Sequence, residues 1–139
     1  VGIGDERNTM TDWNNAKPYF ETTAVAHLST LMRDGSPHSV PVWVGTDGDR
    51  LVFFTEADAL KDRNLRRDPR VALSVTKPHD PLAMAFVRGK AVERVEGADA
   101  MVHVDRISNL YTGEPYGIRE GFVAWIVEPR KAWARAYEE

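Results

Sequence analysis

The residues with the clearest chemical potential lie where a strand-like run gives way to a short basic segment. The run ends in Phe-Phe-Thr, so the Thr55 hydroxyl stands at a strand end, and Lys61 follows at the start of the next helical segment. The first turn of a helix has N–H groups without intrahelical partners and a partial positive charge, and a lysine adds a full charge. We therefore predict that this junction binds the phosphate group of a cofactor.

The same helical segment also has a purely structural interpretation. Lys61, Asn64 and Arg67 recur at three-residue spacing and therefore share a helix face. On a solvated surface these cations could simply pair with the carboxylates of the segment, Asp58, Asp62 and Asp68. Binding is favoured because Thr55 directly precedes the helix and Trp43 lies on the neighbouring strand, an arrangement that suits a flat ring with a phosphate tail.

Other familiar catalytic sites are missing from the sequence. It contains no glycine-rich dinucleotide motif, no P-loop, no serine-hydrolase elbow and no zinc-protease motif. The absence of cysteine excludes disulfides and thiolate chemistry. The four histidines do not have metal-ligand spacing, so no metal site is predicted.

The composition is that of an ordinary globular chain. Of the 139 residues, 42% are hydrophobic and 28% are charged, and the net charge of −3 does not support a nucleic-acid surface. No apolar run reaches the roughly 18 residues of a membrane span, and the polar N-terminal segment lacks the apolar centre of a signal peptide. We expect a single cytoplasmic domain over residues 1–139, with residues 1–10 forming a flexible arm.

Alternating and β-branched runs separated by turn signals predict that most of the chain is β-strand. The predicted strands cover residues 22–33, 37–46, 50–55, 71–76, 83–95, 122–127 and 131–137. Residues 77–81 are predicted to form a loop, and Pro129 is expected to end the sixth strand. Because Pro41 cannot donate to a ladder, its strand should be an edge or a bulge, and Gly89 predicts a bulge or a close backbone approach.

Helical segments are inserted between these strands. Residues 58–68 form one, with Asp58 as the predicted N-cap, and residues 97–110 form another. A short helix is also expected around Trp13. The predicted fold is mainly β, of the α+β class: an antiparallel barrel of six or seven strands with two to three short helices.

The sequence from Ser39 to Val75, SVPVWVGTDGDRLVFFTEADALKDRNLRRDPRVALSV, resembles a known family. With the leading strand AVAHLSTLMRDGSPHSVPVW and the later FVRGKAVER strand, it is similar to the pyridoxine-5′-phosphate-oxidase-like split β-barrel proteins. Within that family it most resembles the flavin/deazaflavin oxidoreductases (FDOR-B-like) that use coenzyme F-420. The resemblance extends from Ala24 to Val127, and the NLRRDPRVAL block is its most specific part.

This resemblance implies a homodimer that holds its cofactor in a groove at the subunit interface. Residues of one strand are implied to face the ring and ribityl chain: Ser39, Val40, Pro41, Val42 and Trp43. Thr55 and Lys61, with Asn64 nearby, are implied to hold the phosphate, and Arg88 to approach from the partner. The sequence departs from the family at Ala59, where a small hydroxyl residue is often found.

The implied reaction is hydride transfer between reduced F-420 and an unsaturated small molecule. A proton could come from solvent or from one of four side chains, His27, His38, Tyr111 and Tyr116. Three alternatives stay open: an FMN-binding pyridoxamine-phosphate-oxidase-like protein, a non-catalytic cofactor-binding protein, and a barrel that binds no cofactor. The C-terminal RKAWARAYEE lacks the Arg-x-His ending associated with true pyridoxine-phosphate oxidases.

Overall fold

A computed structural model of the protein describes residues 9–137, with side chains described from Asp12 onward. The strands of this part are β1 (Ala26–Leu31), β2 (Pro37–Val42), β3 (Val44–Asp47), β4 (Arg50–Glu56), β5 (Arg70–Lys77), β6 (Asp80–Val95) and β7 (Phe122–Ala136). The helices are α1 (Thr9–Ala16), a 3-10 helix (Lys17–Glu21), α2 (Leu60–Arg67) and α3 (Gly97–Thr112).

The strands form one antiparallel sheet in the order β2-β1-β5-β6-β7-β4-β3. Strands β2 and β3 lie at opposite edges of this sheet, although only Trp43 separates them along the chain. The sheet must therefore curl until its two edges meet at Trp43. This curled half-barrel confirms the predicted α+β split barrel, with seven strands and three α-helices among residues 9–137.

Two hydrophobic clusters hold the sheet and helices together. The larger one lies on one face of the sheet, where Trp13 and Phe20 pack with ring centroids 6.2 Å apart. The smaller one joins α3 to the other face, where Ile107 packs with Val52 and Ile126. Full burial of such a side chain contributes about 1.5–3 kcal/mol, so both clusters fix the elements around them.

The predicted strand over residues 37–46 is broken in two. Strand β2 pairs with β1 and β3 pairs with β4, so the chain changes neighbours at Trp43. The break is stabilised from outside the sheet because the Val44 N–H donates to the hydroxyl of Tyr111 (3.2 Å). Strand β2 is an edge strand, which confirms the position predicted from Pro41.

The two predicted C-terminal strands are one continuous strand, so Pro129 does not end it. Pro129 lies opposite Gly89, where the register between β6 and β7 shifts, and the pairing of β7 with β4 ends at Val127. A proline is tolerated at such a bulge because its missing N–H is not needed there. The Gly89 prediction is confirmed, since a Cβ at this position would lie 2.5 Å from the Glu128 carbonyl oxygen.

Two further expectations change at the ends of elements. The predicted loop 77–81 is a tight hairpin, because β5 continues to Lys77 and β6 begins at Asp80. The predicted arm lies outside the described residues except for Thr9 and Met10, which begin α1. Within residues 9–137, no helix is long and apolar enough to cross a membrane. The single domain over residues 1–139 stays a prediction.

Candidate functional site

The junction between β4 and α2 differs from its prediction at Asp58. Asp58 has a φ of 68° and lies before the helix, whose N-cap is Ala59, a residue without a capping side chain. Asp58 does not cap the helix with its side chain. Its N–H donates to the Asp62 carboxylate (2.9 Å), and its own carboxylate accepts from Arg66 (2.5 Å). No side chain therefore caps the first turn of α2, and its N–H groups can receive an anion.

Asp62 anchors α2 to the sheet. Its side chain is fully buried and accepts hydrogen bonds from the Arg94 guanidinium (2.9 Å to each oxygen), the Trp125 indole N–H (2.9 Å) and the Asp58 N–H. Burial by itself would raise the pKa of Asp62, but the hydrogen bonds from Arg94, Asp58 and Trp125 outweigh it and hold the pKa at about 2. Asp62 is thus ionised and ties the start of α2 to β6 and β7.

Lys61 differs from Arg66, Arg70 and Arg94, the cations near α2 that form ion pairs. The carboxylates in and beside α2 pair with arginines: Asp58 with Arg66, Asp62 with Arg94, and Asp68 with Arg70. Lys61 makes no hydrogen bond or ion pair with another described residue, and burial lowers the pKa of its ammonium group, with Glu56 acting in the opposite direction. The surface-pairing interpretation therefore accounts for Arg66 and Arg70 but not for Lys61, which differs from the exposed Arg63 in being partly buried.

Lys61 lines a cleft of about 570 Å³ at this junction. The volume lies within the roughly 300–1,000 Å³ typical of small-molecule sites. The cleft is bounded by residues of β2, β4, α2 and β7, by the strand break, and by the segments before β1 and after α3: Val25, Pro41, Val42, Trp43, Phe54, Thr55, Glu56, Ala59, Lys61, Tyr116 and Phe122.

Four of these residues form an aromatic wall, Trp43, Phe54, Tyr116 and Phe122. Their rings meet mostly edge to face: Phe54 lies 5.3 Å from Tyr116 and 5.8 Å from Phe122, and Trp43 lies 6.5 Å from Phe54. Edge-to-face contacts of this kind favour a fixed arrangement of rings. The cleft thus combines a rigid apolar wall with one unpaired cation.

Tyr111 supports the aromatic wall by packing against Trp43. Its ring stacks on Trp43 with centroids 5.0 Å apart and an interplanar angle of 9°. Its hydroxyl donates to the Ala24 carbonyl (2.7 Å) and accepts from the Val44 N–H, so it links the segment before β1 to the start of β3. Burial raises the pKa of Tyr111. With its proton engaged by a backbone carbonyl, Tyr111 is a support rather than a proton donor to the cleft.

Tyr116 is held by the segment that follows α3. Its N–H donates to the Asp105 carboxylate (3.1 Å), and Arg119 forms an ion pair with the same carboxylate (2.7 Å) while donating to the Tyr116 carbonyl (2.9 Å). These contacts clamp the segment to α3. Among the four predicted proton donors, Tyr116 is the one that lines the cleft.

The structure brings together five of the nine site residues predicted from the sequence. Pro41, Val42, Trp43, Thr55 and Lys61 all line the cleft. The sequence interpretation did not identify Val25, Phe54, Glu56 and Phe122 as lining residues. The position of Phe54 and Glu56 on either side of Thr55 was the available signal, whereas Phe122 reaches the cleft only through the pairing of β7 with β4.

Asn64, Ser39 and Val40 lie outside the cleft. Asn64 is only 1% exposed, donates to the Thr30 hydroxyl (3.0 Å) and accepts from Arg67 (2.9 Å). Val40 packs against the larger core, and Ser39 is exposed on β2, opposite Ser29.

Arg88 lines a second depression of about 520 Å³ over strands β1, β5, β6 and β7, called here the outer groove. Its other lining residues are His27, Ser29, Ala72, Leu73, Ser74, Phe86, Val87, Lys131, Ala132 and Trp133. The Phe86 and Trp133 rings lie 4.6 Å apart, and Phe86 is 40% exposed. The groove adjoins the cleft, because His27 in the groove pairs with Pro41 in the cleft.

A metal centre has no support in this part of the chain. Among the residues with described positions, no three His, Asp or Glu side chains are grouped so that they could hold an ion.

Comparison with known proteins adds a family assignment. Residues 14–136 match the family model described as Pyridoxamine 5′-phosphate oxidase. A search of curated protein sequences found no significant match. A solved F-420 reductase superposes with a TM-score of 0.74 at 28% identity, over 84% of this chain and 94% of that chain.

Two further solved structures are similar in fold. A conserved hypothetical protein from Mycobacterium tuberculosis superposes with a TM-score of 0.75 at 24% identity, over 88% of this chain and 83% of that chain. A heme binding protein from Mycobacterium smegmatis has a TM-score of 0.71 at 23% identity, over 100% of this chain and 57% of that chain. The match over residues 14–136 shows that the chain belongs to the pyridoxamine 5′-phosphate oxidase family.

Proposed function

We propose that the protein is an oxidoreductase that binds coenzyme F-420 in the cleft and transfers a hydride between it and an unsaturated small molecule. The observation that carries this proposal is the combination of the aromatic wall with Lys61 at the uncapped start of α2. Similarity to an F-420 reductase at 28% identity supports the choice of cofactor.

The donor set of the cleft fits a flat ring with a phosphate tail. The aromatic wall offers apolar surface for the ring, and the buried Thr55 hydroxyl and the Lys61 ammonium group can donate to phosphate oxygens. The N–H groups of the first α2 turn add further donors and a partial positive charge. Asn64 has an indirect part in this proposal, since its amide already bonds Thr30 and Arg67.

The protein would bind, orient and shield the reactants. Lys61 and Thr55 hold the tail, which fixes the position of the ring along the cleft. Trp43, supported by Tyr111, fixes the plane in which the ring can lie, and the wall excludes water from that side. When bound, reduced F-420 supplies the hydride. We assign no catalytic acid, and Tyr116 is the candidate for which the cleft provides access.

We also propose that the protein works as a cytoplasmic homodimer with the cofactor at its interface. The cleft is open beside Pro41, and the outer groove that adjoins it exposes the Phe86–Trp133 pair. Exposed apolar patches of this kind mark interaction surfaces. A partner covering the groove would bring its Arg88 near the cofactor, as the family resemblance implies.

FMN is the main alternative, because the same lysine and wall would suit its phosphate and ring. Cofactor binding without turnover is the second alternative. The experiment that separates them measures thermal unfolding and tryptophan fluorescence with F-420, FMN and FAD, followed by oxidation of reduced F-420 with enone and quinone acceptors. A ligand of the native state at 100 times its Kd adds about 2.7 kcal/mol to the free energy of unfolding.

The proposal predicts stabilisation by F-420, quenching of Trp43 fluorescence and acceptor-dependent oxidation of reduced F-420. Stabilisation by FMN alone would move the assignment to the FMN alternative. Tight F-420 binding without turnover on any acceptor would favour a cofactor-binding protein, and no binding of any of the three compounds would reject the proposal.

A further inference from the structure

The charged side chains that line the cleft are one cation and one anion, Lys61 and Glu56. Glu56 is the last residue of β4 and is exposed opposite Phe122. Its carboxylate does not form an ion pair with Lys61 or with another described residue, and it lines the space open to a ligand. The Glu56 charge also acts on the Lys61 ammonium group, opposing the effect of burial on the pKa of that lysine.

The arginines near the start of α2 do not offset this carboxylate, and the exposed Arg63 does not line the cleft. Arg66 is held by Asp58 and Asp62, and Arg94 is held by Asp62 and Glu96. Neither arginine lines the cleft, and Ala59 offers no side-chain donor. The formal charge of the cleft lining is therefore close to zero, with only the helix N-terminus adding a partial positive charge.

The number of charges on the phosphate then decides how well it fits. A phosphate monoester carries about −1.5 to −2 at pH 7, whereas a diester carries a single charge. The first negative charge of the phosphate is balanced by Lys61 and the start of α2. A second negative charge would also be attracted by Lys61, but Glu56 would repel it. A like charge nearby disfavours the more highly charged ligand.

We propose that Glu56 makes the cleft select phosphate diesters over phosphate monoesters. This inference rests on the proposed function, in which the cofactor phosphate lies beside Lys61. It gives that function a specificity determinant, since the phosphate of F-420 is a diester and that of FMN is a monoester. Glu56 acts here by excluding the second charge rather than by contacting the ring.

The test compares three forms of the same ring compound: riboflavin, FMN and the monomethyl phosphate ester of FMN. The same three forms of the deazaflavin riboside are measured in parallel. Dissociation constants are determined at pH 7.5 and fixed salt for wild type, Glu56→Gln and Glu114→Gln. Glu114 is an exposed acid that does not line the cleft, so its variant controls for the change in net charge.

Wild type should bind the methyl ester about tenfold more tightly than the monoester, because the diester lacks the charge that Glu56 repels. Glu56→Gln should abolish most of this difference by strengthening monoester binding, with the phosphate-free forms unchanged. Glu114→Gln should behave as wild type. All variants should unfold at wild-type temperature, since both acids are exposed.

An equal change in monoester and diester affinity in Glu56→Gln would overturn the inference, as would a wild type that prefers the monoester. In both cases the ring compounds still bind, so the proposed function survives. A wild type that binds none of the six compounds and does not bind F-420 would reject the proposed function together with this inference.

Discussion

Asp62 is a charged residue without exposed surface, and its environment keeps it ionised. Replacing it with Asn removes the charge that compensates Arg94, and we expect the free energy of unfolding to fall by about 3 kcal/mol at pH 7. Denaturant unfolding of the variant beside wild type measures this loss. Asp68→Asn is the matched control, because Asp68 has a similarly lowered pKa, about 2, but lies at the surface.

The same residue predicts how stability depends on pH. The pKa of Asp62 is lower in the folded protein, about 2, than its ordinary value of 3.8. Its stabilisation is therefore present above pH 4 and is lost as the pH falls from about 4 to about 2. The stability difference between wild type and Asp62→Asn should shrink over that interval, and a difference that stays constant down to pH 2 would contradict this account of Asp62.

At the residue scale, the sequence predicted which residues lie together where local order decides it. Thr55 and Lys61 lie on either side of one turn, and Trp43 lies at the preceding strand break, so their shared position in the cleft followed from chain order. Local pattern alone predicts Asp62 as a surface charge, because its partners Arg94 and Trp125 are 32 and 63 residues away. Only the strand order brings those partners to α2.

At the element scale, the close approach of β6 and β7 depends on Gly89, which has no side chain. Gly89→Ala would place a Cβ 2.5 Å from the Glu128 carbonyl oxygen, a backbone atom that cannot rotate away. We expect the free energy of unfolding to fall by about 2–3 kcal/mol, the upper part of the roughly 1–3 kcal/mol typical of overpacked sites. Gly117→Ala is the control, because nothing lies within 4 Å of its Cβ position. Equal unfolding midpoints for the two variants would contradict the close approach.

The element boundaries that the sequence did not predict have a common cause. The break at Trp43 depends on Tyr111, a residue of α3 that satisfies the Val44 N–H from a distance of 67 residues. Pro129 continues a strand because it meets Gly89 at a bulge. Local propensity describes neither contact, whereas helix α3 and the hairpin turns were predicted because their signals are local.

At the scale of the whole molecule, the outer groove predicts self-association. Phe86→Glu would place a charge in the exposed Phe86–Trp133 pair, and we expect it to convert a dimer into a monomer at micromolar concentration. Sedimentation equilibrium measures the molecular mass of the variant. Its affinity for F-420 should also fall, because the partner subunit is proposed to complete the site. Val102→Glu introduces the same charge at an α3 residue that is 56% exposed and should remain dimeric. A monomeric wild type would refute the proposed dimer.

The central claim is that Lys61 holds the phosphate of a bound cofactor. The most direct measurement compares the affinities of F-420 and of its phosphate-free riboside for wild type, Lys61→Ala and Lys17→Ala. Lys17 is the control because its only recorded partner among the described residues is the exposed Asp49 (3.8 Å). Removing a charge-assisted hydrogen bond costs about 1.5–3 kcal/mol, or roughly 10- to 100-fold in affinity.

We predict that Lys61→Ala weakens F-420 binding by that factor and leaves riboside binding unchanged, with Lys17→Ala equal to wild type for both. A Lys61→Ala variant that binds F-420 as tightly as wild type, or that loses both compounds equally, would contradict the claim.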